Sequence, residues 1–569
     1  MSLKLKAKGS MPEDTAQLGR KIMKSDDPYL IIGDQLSEII SDRDYIDLYP
    51  LEGRAGISPA LLAMVSCLQA IECVSDRAAA RMVVIRVDWK YALGLPLDYQ
   101  GFDYSVLSEY RDRLVKHDAT LRVFDKLLNK LRELGLVKGR LQRTDSLAIL
   151  GAVNVLNRLE MVIETVRVTL EAIARTNGKW LKENVPDSFM KPYIERAENA
   201  RLVKEHGEKG TEETRRLATC TGRDGAWLLA RMDQTDTPRT VKELAEVATL
   251  RQVWAQQFDV TAPSEPSQAG EGAASIVWRE KVATPGKDTI STPHDPDVRY
   301  SEKRGEGWVG YKAQITETVE EDPSNPQAPQ LITDVRATPA TTADYQQTDL
   351  IQQTLRGRDL LPATHIVDNG YVIGETLASS NANGVELIGP IKPDSSKQAR
   401  AKTGTALDDF EIDYTLKQVR CPQGHLSKEW NTLTRHDKTF IRVSFDLQKC
   451  VACPLYATCV NRNPKRARGR TLQISPYHAL IKQRRQEQIT ADFKHTYRRR
   501  AGIEATLSAM VRTQGLRFAR MKGLAKVNLN CIFMAIGCNL KRVTQWLPGV
   551  RPKLRTRQGR LAAFVSAKA

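Results

Sequence analysis

The sequence lacks the features of several special classes of protein. Its 569 residues contain no uninterrupted apolar run of about 18 residues, the length that a membrane-spanning helix needs. The N-terminus, MSLKLKAKGS, is basic but has no apolar segment, so it does not have the pattern of a secretory signal. No repeat of about 20–50 residues is present. We therefore expect a cytosolic protein with no membrane segment.

Cysteine is scarce, and its placement is uneven. Nine cysteines are too few for a disulfide scaffold in a chain of this length. Five lie mostly in apolar helical segments, which indicates buried small side chains: Cys67, Cys73, Cys220, Cys531 and Cys538. The other four fall within 39 residues: Cys421, Cys450, Cys453 and Cys459. Thiolates at this spacing can complete a tetrahedral zinc site, with His425 as a spare ligand. The alternative is a set of reduced thiols in a small β subdomain.

Acidic residues are fewer than basic residues. Lys and Arg number 85 against 68 Asp and Glu, which leaves a net charge of +17. Such a surplus favours a polyanionic partner, nucleic acid first and an anionic membrane second. Residues 461–500 alone contain twelve Lys or Arg against Glu487 and Asp492. This density suits contacts with phosphates, although a solvated basic face is the alternative.

Hydrophobic periodicity divides the chain into helical and strand-rich parts. The strand-rich parts, separated by helices, predict an α/β fold with a mixed sheet. The predicted units are a lead-in (1–47), a helical domain (48–140), a core in two parts (141–152 with 263–400, and 479–550), a helical insertion (153–262), a cysteine-rich insertion (401–478) and a basic tail (551–569).

The helical domain contains a candidate DNA-reading helix. After a turn rich in Gly and Pro, residues 103–118 form a short basic helix that carries Arg111, Arg113 and Lys116. This arrangement is typical of helix-turn-helix proteins. An ordinary helical bundle is the alternative.

Three carboxylates stand where a metal site is plausible. Asp145 lies in an apolar strand, on the same face as Leu147 and Ile149. A carboxylate there needs a metal, a cation or hydrogen-bond donors, unless it lies at a strand end near water. Asp368 ends a later strand, where open α/β sheets bind ligands. Together with Glu504, these residues can hold two Mg²⁺ ions if they converge.

Glu504 lies on a predicted helix that also carries a phenol and a cation. At helical spacing, Tyr497, Arg500 and Glu504 share one stripe with Ser508 and Val511. A solvated Arg–Glu pair one turn apart, worth a few tenths of a kcal/mol, is the alternative interpretation.

These motifs resemble those of a known family. R-T-D-S-L-A-I-L, H-I-V-D-N-G-Y and Y-R-R-R-A-G-I-E are similar to the three acidic motifs of DDE transposases of bacterial insertion sequences. Tyr497, Arg500 and Glu504 match the Tyr–Arg–Glu–Lys signature of one branch. The signature's Lys position is Val511 here, and the neighbouring Arg512 points about 100° away on an ideal helix. Y-P-L-E-G-R-A-G-I-S-P-A-L-L and C-P-x-G-H with C-x2-C-P resemble the N-terminal domain and a cysteine-bearing insertion of such transposases.

The resemblance implies a ribonuclease H-like catalytic core that binds the terminal inverted repeats of an element. It implies cleavage with Mg²⁺ or Mn²⁺, two ions per site, and transfer of the 3′-OH ends into target DNA. Asp145, Asp368 and Glu504 would be the metal ligands, with structural Zn²⁺ in the cysteine-rich insertion. The residues expected at DNA phosphates or backbone are Tyr497, Arg498, Arg499, Arg500 and Arg512. A homodimer on DNA in the bacterial cytoplasm is expected.

Two other classes of protein have the same features. A DDE-type nuclease would use the same site without strand transfer. A domesticated DNA-binding protein would retain only the basic surfaces, and the three filled acidic positions argue against it.

Overall fold

The computed structural model of the protein describes most of the chain. The described residues are 2–3, 11–36, 38–50, 52–153, 156–199, 207–261, 275–279, 288–303, 305–322, 326–435, 438–460 and 467–548. The basic tail predicted over residues 551–569 lies outside the described residues.

Helices form the first part of the chain. They are α1 (Glu13–Ile22), α2 (Pro28–Ile31), α3 (Pro59–Glu72), α4 (Asp76–Ile85), α5 (Val87–Leu93), α6 (Ser105–Lys116) and α7 (Arg122–Glu133). As the sequence predicts, the Ser58 hydroxyl caps α3 by accepting from the Leu61 N–H, and Pro59 occupies the first helical position.

The start of the chain is more ordered than its charged sequence indicates. The predicted lead-in, residues 1–47, contains α1 and α2, followed by a π-helical turn (Ile32–Leu36) and a 3-10 helix (Asp42–Leu48). Ile32, Leu36 and Tyr45 are fully buried. Several apolar side chains of this segment therefore point inward, and the segment is part of the helical unit.

A helical insertion separates the first strand, β1 (Leu141–Leu150), from the rest of its sheet. The insertion consists of α8 (Arg158–Asn184), α9 (Asp187–Met190), α10 (Gly207–Met232), α11 (Arg239–Lys242), α12 (Ala245–Gln257), β2 (Phe258–Thr261) and β3 (Ser275–Trp278). It has its own apolar core, which includes Val162, Leu228 and Leu250. The insertion extends beyond the predicted 153–262, because β3 pairs with β2 and not with the main sheet.

The main sheet is mixed. Its other members are β4 (Arg299–Lys303), β5 (Glu306–Thr318), β6 (Ile332–Pro339), β7 (Thr364–Val367) and β8 (Glu386–Ile388), with helices α13 (Tyr345–Gly357) and α14 (Gly374–Ala382) between them. The strand order is β4-β5-β1-β7-β8, and β6 also pairs with β5. Strand β5 is antiparallel to β1, β4 and β6, whereas β7 is parallel to β1 and β8. The predicted α/β class with a mixed sheet is confirmed.

The cysteine-rich segment folds around small antiparallel sheets. Its elements are α15 (Lys397–Ala401), β9 (Glu411–Asp413), β10 (Gln418–Arg420), β11 (Glu429–Arg435), β12 (Lys438–Ser444), α16 (Leu447–Val451), α17 (Tyr456–Cys459) and β13 (Thr471–Ile474). Phe410, Val443 and Phe445 belong to its separate apolar core.

The last helices join the sheet to the N-terminal helices. They are α18 (His478–Glu487), α19 (Ala491–Arg498), α20 (Gly502–Gln514) and α21 (Leu524–Trp546). Helix α21 packs against β6 on one side and against α3 and α6 on the other. Leu68 of α3, Ile315 of β5 and Ile532 of α21 consequently belong to one buried apolar cluster. The helical unit therefore shares its core with the sheet.

Within the described part of the chain, no single helix is long and apolar enough to cross a membrane. Helices α3 and α4, bent by 107°, satisfy that criterion of length and composition only as a pair.

Candidate active site

Asp145 lies in the middle of β1, opposite Ile315 of β5. Its side chain is only 15% exposed. Burial raises the pKa of this carboxyl, and the nearby charge of Asp368 adds to the effect, while the Ser146 N–H and the Arg500 guanidinium oppose it. A mostly buried carboxyl with a raised pKa at the centre of a sheet is a candidate functional group.

Asp368 lies beside Asp145 because of the strand register. Strands β1 and β7 run parallel, and Thr144 pairs with Val367. The next residue on each strand is an aspartate, and Asp368 directly follows β7, as the sequence predicts. The Tyr497 hydroxyl donates to Oδ1 of Asp368 at 3.4 Å. Two of the three predicted carboxylates thus meet where β7 ends beside β1.

Arg500 links Glu504 to Asp145. Arg500 lies in a 3-10 turn (Arg499–Ala501) between α19 and α20, so the predicted continuous helix is interrupted here. Its Nη1 atom is 2.7 Å from Oδ2 of Asp145, and its Nη2 atom is 3.5 Å from Oε1 of Glu504. The guanidinium is 19% exposed and the Glu504 side chain is 67% exposed. Arg500 therefore links two carboxylates and does not form only the solvated Arg–Glu pair.

The expected metal sites are not formed as the side chains stand. Among the residues that the structure describes, no group of three or more His, Cys, Asp or Glu side chains is spaced to hold a metal ion. At the acidic site the guanidinium of Arg500 contacts both Asp145 and Glu504. The donors themselves fit Mg²⁺, which prefers carboxylate oxygens, and Glu504 is open to solvent.

Three further arginines are expected to contact DNA phosphates. Arg498 is exposed at the end of α19. The Arg499 guanidinium donates to the Glu321 carbonyl at 3.0 Å. Arg512 is exposed, and its Nε donates to the Ser508 carbonyl at 3.3 Å, one turn back on α20. The structure therefore does not bring Arg512 to the carboxylates.

A buried ion network that sequence reasoning missed lies directly beneath the site. The Arg143 side chain donates to Oε1 of Glu317 from Nε at 2.8 Å and from Nη2 at 2.6 Å. The other oxygen of Glu317 accepts from Thr506 of α20 at 2.6 Å and from Arg542 of α21 at 3.0 Å. Charged residues inside two predicted strands, Arg143 and Glu317, were the available signal, because each needs a partner when buried.

The network also fixes the turn that carries Arg500. Nη1 of Arg143 donates to the Arg499 carbonyl at 2.6 Å. A Cβ atom on Gly502 would lie 2.2 Å from the same Nη1 atom, so a larger residue there would displace the guanidinium from this hydrogen bond. Arg143 thereby holds the start of α20 against β1, and the positions of Arg500 and Glu504 depend on that contact.

The four clustered cysteines line one small cavity. Cys421, Cys450, Cys453 and Cys459 all contribute to its wall, together with His425. Burial raises the pKa of the Cys459 thiol, the neighbouring cysteines add to the effect, and Arg470 opposes it. The Arg470 N–H donates to Sγ of Cys450 at 3.4 Å. All four are free cysteines. The sequence therefore predicts correctly that these thiols gather, but zinc binding is not confirmed.

On the predicted DNA-reading helix, both arginines contact other parts of the helical unit. On α6, Arg111 is buried and ion-paired with Asp76. Arg113 donates to the Leu48 carbonyl at 3.3 Å and lies 4.0 Å from the centre of the Tyr49 ring. Lys116 is exposed. Two of the three cations thus stabilise the helical unit, which favours the alternative of an ordinary helical bundle for this helix.

Two family models match the chain. One, described as "Transposase DDE domain", covers residues 420–544, which include the four cysteines, Tyr497, Arg500 and Glu504. The other, described as "Transposase domain (DUF772)", covers residues 19–113 of the helical unit. Together they indicate a DDE-type transposase of the insertion-sequence type. The family predicted from the motifs is thereby confirmed, although Asp145 and Asp368 of this transposase lie outside both matches. No curated protein and no solved structure matches the chain.

Proposed function

We propose that this transposase cleaves DNA at the ends of its element and joins the freed 3′-OH ends to target DNA. The meeting of Asp145, Asp368 and Glu504 around Arg500 and Tyr497 carries the proposal. These residues come from β1, from the end of β7 and from the α19–α20 segment, which lie far apart in the chain. Surface charge alone gives no reason for them to converge.

A ribonuclease H-like core is part of the same proposal. Its support is the topology of the sheet, in which β1 is central. The antiparallel β5 with β6 lies on one side of β1, and the parallel β7 and β8 lie on the other. The first two acidic residues lie on neighbouring strands of this sheet, and Glu504 approaches from a helix that packs on it.

Each residue has a role in this proposal. Asp145, Asp368 and Glu504 would hold Mg²⁺ or Mn²⁺, two ions per site, which when bound supply activation of the attacking oxygen and stabilisation of the leaving oxygen. Arg500 forms ion pairs with both Asp145 and Glu504. A guanidinium has five N–H donors, so Arg500 can also bind a phosphate oxygen beside them. The Tyr497 hydroxyl orients Asp368 by its hydrogen bond.

The acidic residues provide the principal test. We expect Asp145→Asn, Asp368→Asn and Glu504→Gln each to slow cleavage by at least about a thousandfold, because metal-ion catalysis supplies several kcal/mol. Binding to DNA ends should be little changed, measured in parallel by gel shift. Glu386→Gln, at an exposed carboxylate that begins β8, is the matched control and should cleave normally. Normal cleavage by any of the three variants removes that residue from the site.

The two alternatives predict different products. A nuclease without strand transfer would cut a donor plasmid that carries the element's terminal inverted repeats but would give no insertions. A domesticated DNA-binding protein would do neither. Transfer of the ends into a target plasmid, recovered by sequencing the junctions, is the result that the proposal requires.

We also propose structural zinc at the four clustered cysteines. They line one cavity together with His425, and cysteine thiolates are the usual ligands of structural zinc. About one zinc ion per chain is expected by elemental analysis. It should be lost in Cys450→Ser with Cys453→Ser, and retained in Cys220→Ser, which changes an exposed cysteine elsewhere. Freshly purified, reduced protein without zinc would contradict this proposal.

The remaining expectations concern partners. We propose that the transposase acts on double-stranded DNA in the bacterial cytoplasm and that two copies assemble on paired ends. The net charge of +17 supports a DNA partner. Mass measurement of the protein with and without end DNA tests the dimer, because a single copy on paired ends would contradict it.

A further inference from the structure

The connector between α20 and α21, residues 515–523, is fixed to three parts of the molecule. Its backbone continues the sheet at the end of β1, where the Leu150 N–H donates to the Arg517 carbonyl at 2.9 Å and the Ala519 N–H donates to the Leu150 carbonyl at 2.8 Å. At its end, the Gly523 N–H donates to Asp295 at 3.1 Å. Arg520 donates to the Cys73 carbonyl of the helical unit at 3.1 Å. The connector is therefore a preformed surface.

This rigid connector exposes an aromatic ring among cations. Phe518 is 62% exposed, although its neighbour Leu516 is buried. Arg517, Arg520 and Lys522 are also exposed. A single exposed apolar side chain is common on protein surfaces, so the inference rests on the fixed backbone and on the cations around the ring. An aromatic face between cations is the arrangement that stacks nucleobases and neutralises phosphates.

A cleft continues the surface. The cleft has a volume of about 610 Å³ and lies between the connector, α21 and the helical unit. Two cations of its wall are paired within the protein, Arg111 with Asp76 and Lys526 with Asp112. Arg520 and Lys522 from the connector also line it and give it an excess of positive charge.

The connector lies within reach of DNA bound at the acidic site. On α20, Glu504 is separated from Gln514, the last residue before the connector, by roughly 15 Å at the rise of an α-helix. Along β1, Asp145 and Leu150 are separated by a similar distance, roughly 16 Å. At about 3.4 Å per nucleotide along one strand, this corresponds to roughly four or five nucleotides.

We propose that the connector is a DNA-contact element in which Phe518 stacks on an unpaired base while Arg517 and Lys522 contact the flanking phosphates. The base lies roughly four or five nucleotides from the scissile phosphate, a position that rests on the proposed function. The stacking itself does not depend on catalysis. In this arrangement the connector, and not α6, supplies a DNA contact next to the helical unit.

The test measures binding of the full chain to a dT20 single strand and to a 20-base-pair random duplex in EDTA, where no cleavage occurs. Phe518→Ala should weaken binding to dT20 about tenfold, as removal of one stacking side chain does, and binding to the duplex much less. Phe518→Tyr should restore binding to dT20. Arg517→Ala with Lys522→Ala should reduce the salt dependence on dT20 by a slope of about 1.4, because two phosphate contacts are lost.

Tyr414→Ala is the matched control, because this tyrosine is 38% exposed in the cysteine-rich segment and should not affect binding. Equal weakening on both DNAs, or no weakening by Phe518→Ala, overturns the proposal. A changed oligomeric mass with unchanged DNA binding also overturns it, because the surface would then join copies of the chain. If the variants change dT20 binding as expected but the wild-type protein does not cleave DNA, only the proposed function is contradicted.

Discussion

Arg143 and Asp145 lie two residues apart on the same face of β1, but their surroundings differ completely. Arg143 is 4% exposed, and its guanidinium is enclosed by Glu317, the Arg499 carbonyl and the side chain of Gln330. Asp145 faces a site whose third carboxylate, Glu504, is mostly exposed. One network is closed and fully paired, and the other is open to solvent.

The two networks have different roles: the closed one positions helices, and the open one can bind a ligand. A closed network cannot admit a metal or a phosphate without first breaking its own hydrogen bonds, so Glu317 serves to hold α20 and α21 on the sheet. The open site has donors and acceptors that a ligand can still reach. Glu317 would otherwise resemble a catalytic carboxylate, since it is as central in the sheet as Asp145. Three predictions test this contrast.

The largest effect is expected on stability at the closed network. Glu317→Gln removes the charge that pairs with Arg143 and Arg542, and an uncompensated buried charge costs about 3–5 kcal/mol. We expect a large fall in the urea midpoint. Glu306→Gln, at the exposed start of the same strand, is the control and should unfold like the wild type. An unchanged midpoint for Glu317→Gln would show that the network does not hold the core.

The second effect is on rate at the open site. Arg500→Ala should slow cleavage by at least about tenfold, because a charge-assisted contact to phosphate contributes about 1.5–3 kcal/mol. The stability of this variant should be close to that of the wild type, since Arg500 contacts a site in which Glu504 is open to solvent. Arg500→Lys should recover part of the rate, because an ammonium cannot form paired bonds. Arg356→Ala, at an exposed arginine on α13, is the control and should cleave normally. Normal cleavage by Arg500→Ala would leave Arg500 with only a structural contact.

The sequence predicts the open site better than the closed one, for a physical reason. Asp145 and Asp368 are recognisable because each stands where a local pattern, an apolar strand or a strand end, makes a carboxylate unusual. The partner of Glu317 is determined by the register of β1 and β5, which places it opposite Arg143. That register is set by long-range packing, which no local pattern contains.

The same limit applies to two other features of the structure. Helix α6 has the basic pattern of a reading helix, but its Arg111 pairs with Asp76 of α4, a contact that is invisible in the local sequence. The predicted lead-in looked unpatterned because its buried residues, such as Ile32 and Tyr45, lie in short π and 3-10 turns. Helical caps such as Ser58 were predictable because they depend only on neighbours within one turn.

The smallest effect concerns the protonation of Asp145. Burial raises the pKa of its carboxyl in the folded protein, so the folded state retains this proton at pH values where the unfolded chain has lost it. Ionisation of this carboxyl therefore costs more free energy in the folded state than in the unfolded chain. Its contribution to stability should fall as the pH rises from the ordinary aspartate value through the raised one, and should be constant above it.

The measurement compares the free energy of unfolding of the wild type with that of Asp145→Asn between about pH 3.5 and pH 7, a range that contains the ordinary pKa of aspartate. The contact with Arg500 lost in the variant adds an offset, but the slope of the difference reports the titration of Asp145. The stability of the wild type relative to the variant should decrease as the pH rises through this range. A relative stability that increases would mean that Arg500 outweighs burial and lowers the pKa of Asp145. The acidic site would then be a closed ion pair like the network beneath it, and the contrast between the two would disappear.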